Sequence, residues 1–267
     1  MNETFNYKVS HLVRNLMTGG HKSQQRGAGS DFYKKSLFLS EPNLSAMDLK
    51  ASLSDPFEQI HIRSYRQRSQ IDVLLLIDGS SSMTLDKKPE LIQQFFSHCQ
   101  SSVNASGDDF SCYLFNDEIN AITSEESLID ELINPALTIN DASSFTSVNR
   151  ILPKKPALIF LISDCHWPES NLHQLMSSLS AHIVVPIVLW QSAEYNNYPL
   201  WRFIELADLE TGQPSLVFVT PKQKQNIKQA YQHRKQYLEH HFLRYQSRVF
   251  WLIDTFSTTQ MSRYFSA

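Results

Sequence analysis

The stretch Asp78-Gly79-Ser80-Ser81-Ser82-Met83 follows directly on an apolar run at residues 71–77. An Asp-x-Ser-x-Ser turn at the end of a strand aims one carboxylate and two hydroxyls at a common point. Such hard oxygen donors suit magnesium or calcium rather than zinc or copper. Three donors are too few, so others must come from elsewhere in the chain. Asp164 ends a second apolar run, residues 157–163, just as Asp78 ends the first. Thr146, in Ser143-Ser144-Phe145-Thr146-Ser147, opens a segment between those two runs. The expected ligand set is therefore Asp78, Ser80, Ser82, Thr146 and Asp164, holding Mg2+, with Ca2+ or Mn2+ as the other cations such oxygens accept. The plainer alternative is that Asp78, Ser80 and Ser82 merely cap the helix that follows, since Asp and Ser favour such turns.

The elements around these residues read as a parallel sheet with crossover helices. Residues 71–77 form an almost unbroken β-branched and leucine run, as expected of a strand buried on both faces. Leu91, Ile92, Phe95, Phe96 and Cys99 recur at helical spacing, so residues 89–103 should be a helix. Strands are expected at 110–115 and 119–122, then a helix at 124–133 with Ser124 as its cap. A short helix at 146–152, a core strand at 157–163, a helix at 169–179 and a third core strand at 183–190 follow. Beyond Trp190 the pattern predicts a hairpin at 203–208 and 215–220, a long helix at 222–246, a strand at 248–253 and a terminal helix at 258–265. The first 70 residues read as irregular structure with one strand at 59–65. The fold class is thus α/β, a doubly wound, mainly parallel sheet with helices on both faces. Its organisation is a 1–70 extension packed on the core, a 71–190 core carrying the site, and a 191–267 segment completing the same domain.

This ligand pattern resembles the metal-ion-dependent adhesion site of the von Willebrand factor A superfamily, in which Asp-x-Ser-x-Ser, a distant Thr and a later Asp surround one cation. Met83 also matches, since bacterial members commonly read Asp-x-Ser-x-Ser-Met. The resemblance implies metal binding by the hydroxyls of Ser80, Ser82 and Thr146, with Asp78 and Asp164 bound directly or through water. Two departures stand out: Ser144-Phe145-Thr146 replaces the usual Gly-Gly-Thr, and Cys165 replaces the usual Gly after the last Asp. A narrower resemblance is to the bacterial family called domain of unknown function 58. It rests on Arg26-Gly27-Ala28-Gly29-Ser30-Asp31-Phe32, on Met47-Asp48-Leu49-Lys50-Ala51, on Ile62-Arg63-Ser64-Tyr65-Arg66 and on Asp208-Leu209-Glu210-Thr211-Gly212. That family's Gly-Asp-Asp, Trp and Arg are missing, with Leu49 at the Trp position. The resemblance implies a non-catalytic partner of a MoxR-type AAA+ ATPase, acting in protein or metalloenzyme maturation.

The remaining features exclude more than they add. Hydrophobic residues at 42% and charged residues at 19% exclude a disordered chain, and only 7 glycines argue against a glycine-rich phosphate cradle. Charge is uneven: residues 71–220 hold 6 Lys/Arg against 19 Asp/Glu, between basic flanks holding 10 against 6 and 8 against 2. Flanks and centre can neutralise one another on folding, so nucleic acid is not implied. Cys99, Cys112 and Cys165 are odd in number and lack metal-site spacing, which reads as buried free thiols in a reducing compartment. No signal-like or membrane-spanning run is present, so the expectation is a cytoplasmic protein. Glu239-His240-His241 reads as a solvated helix surface, because adjacent helical residues face different ways. His166 and Trp167 read as plain loop residues, with lining of the site's rim as the alternative.

A rival reading is a magnesium-dependent phosphohydrolase or phosphotransferase with Asp78 as nucleophile. Against it, Ser80 stands where a general-acid Asp would be needed, and no lysine is close in sequence to balance a phosphorylated intermediate. A third reading is a structural scaffold in which the metal site is vestigial.

Overall fold

The computed structural model describes residues 4–7, 21–27, 31–37, 47–57, 59–133, 143–196, 199–207 and 214–266. The chain divides into two compact units. Residues 8–71 with 106–109 form one, and residues 1–7, 72–105 and 110–267 form the other.

The smaller unit holds β1 (His21–Gly27), β2 (Asp31–Leu37), the short helix α1 (Leu49–Leu53) and β3 (His61–Ser69). The three strands make an antiparallel sheet in the order β1-β3-β2, with Gly27 opposite Tyr65 and Leu37 opposite His61. Asp48 caps α1, accepting a hydrogen bond from the Ala51 amide at 3.1 Å. This corrects the expectation of irregular structure with one strand at 59–65. The reason lies in composition: β1 reads His-Lys-Ser-Gln-Gln-Arg-Gly, with no apolar residue to mark a period. Residues 28–30 lie outside the described residues.

The larger unit is built on a six-stranded sheet in the order β11-β8-β7-β4-β5-β6. Its strands are β4 (Asp72–Asp78), β5 (Asp109–Phe115), β6 (Ile119–Ile122), β7 (Leu158–Ser163), β8 (Ile183–Trp190) and β11 (Phe250–Ile253). Pairings β4–β7, β7–β8 and β8–β11 are parallel, and β5–β6 is an antiparallel hairpin. Every residue of β7 is buried, as are six of the seven in β4, so the apolar runs follow from cover on both faces.

That cover comes from α2 (Lys88–Ser106), α3 (Glu125–Ile133), α4 (Glu169–Ser178), the short α5 (Ala193–Asn196), α6 (Pro221–Arg244) and α7 (Thr258–Ser266). Helix α2 buries Leu91, Ile92, Phe95, Phe96, Cys99 and Val103. Phe5 lies against this core, its ring stacked 5.9 Å from Phe95 and edge-on 6.0 Å from Phe160. Ser124 caps α3 as expected, accepting from the Ser127 amide at 3.2 Å. The long helix begins with a Thr220–Gln223 capping box and Pro221. Along it Leu238 and Phe242 are fully buried, while Ile227, Tyr231 and Tyr245 are half-buried.

The expected hairpin is present as β9 (Arg202–Ala207) and β10 (Pro214–Val219), with Ala207 opposite Pro214. Residues 208–213, including Asp208-Leu209-Glu210-Thr211-Gly212, lie outside the described residues. The expected short helix at 146–152 is a 3-10 helix at Ser143–Arg150 instead. It starts early because the Ser144 amide donates to the Asn116 carbonyl at 3.2 Å and its hydroxyl to the Glu118 carbonyl at 3.2 Å. No helix among the described residues is long and apolar enough to cross a membrane.

Candidate metal centre

The chain leaves β4 toward β5 and β6 on one side of the sheet and returns to β7, β8 and β11 on the other. The carboxyl ends of β4 and β7 therefore flank the point where strand order reverses, the place where open α/β sheets form ligand crevices. Asp78 is the last residue of β4, and Ser163 is the last of β7. Parallel pairing brings the two ends together, so the Ser163 hydroxyl donates to Asp78 Oδ2 at 2.6 Å. Asp164 follows at once.

The Asp78-x-Ser-x-Ser turn folds onto itself. The Ser80 amide donates to Asp78 Oδ1 at 2.8 Å. The Ser82 hydroxyl is close enough to Asp164 to help lower its carboxyl. The Ser80 and Ser82 hydroxyl oxygens are 3.1 Å apart. Asp78, Ser80, Ser82, Asp164 and Ser163 thus close a ring of oxygens across two strands. Asp78, Ser80 and Asp164 are each at most 1% exposed.

The electrostatics of the two carboxyls differ. Burial, reinforced by the charge of Asp164, pushes the Asp78 carboxyl up to about 7. Burial acts on Asp164 in the same sense, but the Lys88 ammonium, His166 and the Ser82 hydroxyl outweigh it and hold the carboxyl below its usual range. Lys88 itself is 1% exposed, and its Nζ lies 3.2 Å from Asp164 Oδ2 and 2.7 Å from Glu194 Oε1. Burial would lower the ammonium, but Asp164 and Glu194 more than compensate and raise it above its ordinary value. The sequence reading found no lysine close in sequence, and the fold brings one to the site in space. Lys88 is ten positions from Asp78 and reaches the site because α2 starts just above the turn.

The oxygens fit a small hard cation. The Ser80 and Ser82 hydroxyls, hydrogen-bonded to each other with either able to donate, stand side by side between the two carboxyls. Two neighbouring ligands of an octahedral ion at magnesium's bond length stand about 3 Å apart, close to the 3.1 Å found here. Among the described residues no group of three or more His, Cys, Asp or Glu is placed to hold a metal, so any such site depends on hydroxyls.

Thr146 is not brought into this ring by any contact among the described residues. It is exposed, and its hydroxyl donates to the Ser143 carbonyl at 3.0 Å. It borders a separate cavity of about 90 Å³ with Phe145, Trp167 and Leu175.

Three contributors escaped the sequence reading. Ser163 and Lys88 are described above. The third is Asn116, which follows β5 and is 2% exposed. Among the described residues neither its Oδ1 nor its Nδ2 has a hydrogen-bond partner. A Cβ added to Gly79 would lie 1.7 Å from Asn116 Oδ1 and 2.8 Å from the Phe115 carbonyl, so glycine is required there by close approach.

Cys165 takes a left-handed conformation, φ 54°, where glycine is the least strained residue. It is held there by its amide bond to the Ser163 hydroxyl at 2.8 Å and by Arg234, whose Nε and Nη2 both donate to its carbonyl, at 3.1 and 2.5 Å. Burial pushes the Cys165 thiol far up, which excludes a reactive thiolate. All three cysteines are buried and free.

No family model matches the chain, and no curated protein matches it. Among solved structures it is similar to a conserved hypothetical protein, BatB, from Bacteroides thetaiotaomicron. That match has 9% identity and a TM-score of 0.42, and covers 73% of this chain and 97% of that one. It is also similar to an aerotolerance-related membrane protein from Bacteroides fragilis NCTC 9343 carrying multiple mutations to serines. There the identity is 13% and the TM-score 0.40, with 73% and 96% covered.

Proposed function

We propose that the chain is a non-catalytic protein-binding module whose ring of oxygens takes a divalent cation, magnesium first and calcium or manganese next. The observation carrying this reading is the pair of hydroxyls, 3.1 Å apart, set between two buried carboxyls at the reversal of strand order. Asp78, Ser80, Ser82 and Asp164 would hold the ion. When bound, the cation supplies a coordination position for a carboxylate from a partner protein. Ser163 holds the Asp78 carboxyl in place, and Arg234 braces the loop after Asp164 by donating to the Cys165 and Trp167 carbonyls.

Charge explains why a cation would control docking. Asp78, Asp164 and Glu194 against Lys88 leave a surplus of negative charge when all four are ionised, which repels an acidic partner. A divalent ion cancels that surplus. The resemblance of the flanking segments makes a MoxR-type AAA+ ATPase, or its client, the partner we propose. A site with so few carboxylates should be weak alone, with a dissociation constant on the order of 10⁻⁴–10⁻³ M.

The test is complex formation and melting temperature in millimolar magnesium against EDTA, for the wild type and the double variant Ser80→Ala/Ser82→Ala. Magnesium should raise the wild-type melting temperature by linkage. The double variant should lose both that rise and about 2–5 kcal/mol of partner affinity. Complex formation that survives EDTA and the double substitution undiminished would overturn the reading. Equal melting temperatures with and without magnesium would favour the scaffold reading.

Lys88 on Asp164 supplies the lysine that a phosphohydrolase would need. Asp78, however, has no exposed surface, and both its oxygens accept hydrogen bonds. Release of phosphate from aryl phosphates, lost on Asp78→Asn, would reverse this judgement.

A further inference from the structure

A lysine this deeply buried at a candidate cation site needs an explanation. The Lys88 ammonium is 1% exposed, 3.2 Å from Asp164 Oδ2 and 2.7 Å from Glu194 Oε1. Its surroundings are built rather than incidental. Gln191, itself 4% exposed, accepts from the Lys87 and Lys88 amides at 2.8 and 3.0 Å and donates to Asp86 Oδ2 at 2.8 Å. Gln191 and Glu194 lie just beyond the end of β8, so a third strand end contributes to the charge balance of the ring. Asp164 is therefore claimed from two sides. Lys88 takes Oδ2, while His166 (through its amide, at 3.3 Å, to Oδ1) and Ser82 take other positions on the same carboxylate.

We propose that Lys88 is a built-in counter-cation that shares Asp164 with the divalent ion and, together with Glu194, sets how tightly the site takes magnesium. The inference rests on the metal reading above and adds which residues tune it. A positive charge fixed on one ligand repels an incoming divalent ion and withdraws electron density from that ligand's oxygens. Glu194 works the other way. It is the nearer partner of the ammonium, draws it away from Asp164, and adds a negative charge of its own. The two residues therefore pull the affinity in opposite directions, a signature that simple damage to the fold would not produce. The arrangement keeps the ring from filling on the cation alone, so that occupancy depends on a partner's carboxylate.

The experiment titrates the full-length chain with magnesium chloride alone, by calorimetry, and follows melting temperature in magnesium and in EDTA. Lys88→Gln keeps a hydrogen-bond donor near Asp164 while removing the charge, and it should bind magnesium at least about tenfold more tightly. Glu194→Gln should bind it severalfold more weakly. Lys87→Gln makes the same charge change at the neighbouring exposed position, and should change affinity by less than about twofold because exposed charges are screened. Tighter binding in Lys88→Gln supports the inference even if the wild type shows no measurable affinity. Wild-type binding that is equalled or exceeded only by the Lys87 control would overturn the role of Lys88 and leave the metal reading standing. Absence of binding in wild type and Lys88→Gln alike would overturn the metal reading and this inference with it. Should Lys88→Gln fail to fold, Glu194→Gln decides: unchanged magnesium affinity there overturns the proposal.

Discussion

Ser163 and Asp78 are 85 positions apart in the chain, yet the hydroxyl of one donates to the carboxylate of the other at 2.6 Å with no solvent between them. The same hydroxyl accepts from the Cys165 amide at 2.8 Å, so one side chain fixes both strand ends of the candidate site. Ser163→Ala should therefore cost about 1–3 kcal/mol, the penalty for leaving buried polar groups unpaired. Urea denaturation should show a lower midpoint with an unchanged slope. A midpoint equal to the wild type would mean that the bond adds nothing.

Asp78 gives the metal-free protein a pH signature. Its folded carboxyl is raised to about 7 from an ordinary 3.8, so between those values the folded state binds more protons than the unfolded state. Stability from this group is then fully present below pH about 4, falls as pH rises toward 7, and levels off above. Asp164 has the opposite sign: its folded carboxyl is lowered, so its contribution is present above its ordinary value and lost only as pH falls below it. Asp78→Asn should remove the decline between pH 4 and 7 measured in EDTA. A decline of the same size in that variant would assign it to another group.

Gly79 is a site where one methyl group is costly. Its Cβ would collide with the Asn116 side chain and approach the Phe115 carbonyl, and backbone yields less readily than a side chain. Gly79→Ala should destabilise by about 1–3 kcal/mol. Adding Asn116→Ala should recover only part of the loss, because the carbonyl contact stays. A double-mutant cycle reads the coupling directly, and full recovery would show that the carbonyl gives way.

Thr146 stands apart from the ring, its hydroxyl turned to Ser143. Thr146→Ala should keep the magnesium-dependent rise in melting temperature that Ser80→Ala/Ser82→Ala abolishes. Loss of the rise in Thr146→Ala would mean that the 3-10 helix at Ser143–Arg150 shifts to bring the hydroxyl in.

The parts legible in the sequence were those that a run or a period announces. The uninterrupted apolar stretches of β4, β7 and β8 marked buried strands, and Asp78 and Asp164 were legible because each ends such a stretch. Strand β1 escaped because it has no apolar residue, and β2 because Phe32, Tyr33 and Leu37 do not alternate, so the backbone pairing of both is not encoded in a side-chain period. Lys88 escaped for a different reason. A lysine in Asp86-Lys87-Lys88-Pro89-Glu90 looks like solvated surface, and only the fold reveals that one of the two adjacent lysines points inward. Asn116 lies between the strands expected at 110–115 and 119–122, and no run or period marks that its carboxamide is buried against Gly79.

The pairing of β4 with β7 also bears on how the protein acquires its site. The ring needs Asp78 and Asp164 side by side, and between them the chain must first lay down α2, β5, β6 and α3. Contacts so distant in sequence carry a large loop-closure cost and form slowly. A nascent chain that has released β4 but not β7 holds the Asp-x-Ser-x-Ser turn without its second carboxylate, and has nothing with which to complete the ring. Cation binding would therefore mark chains in which the two halves of the sheet have joined, so that only finished molecules could engage a carboxylate-bearing partner.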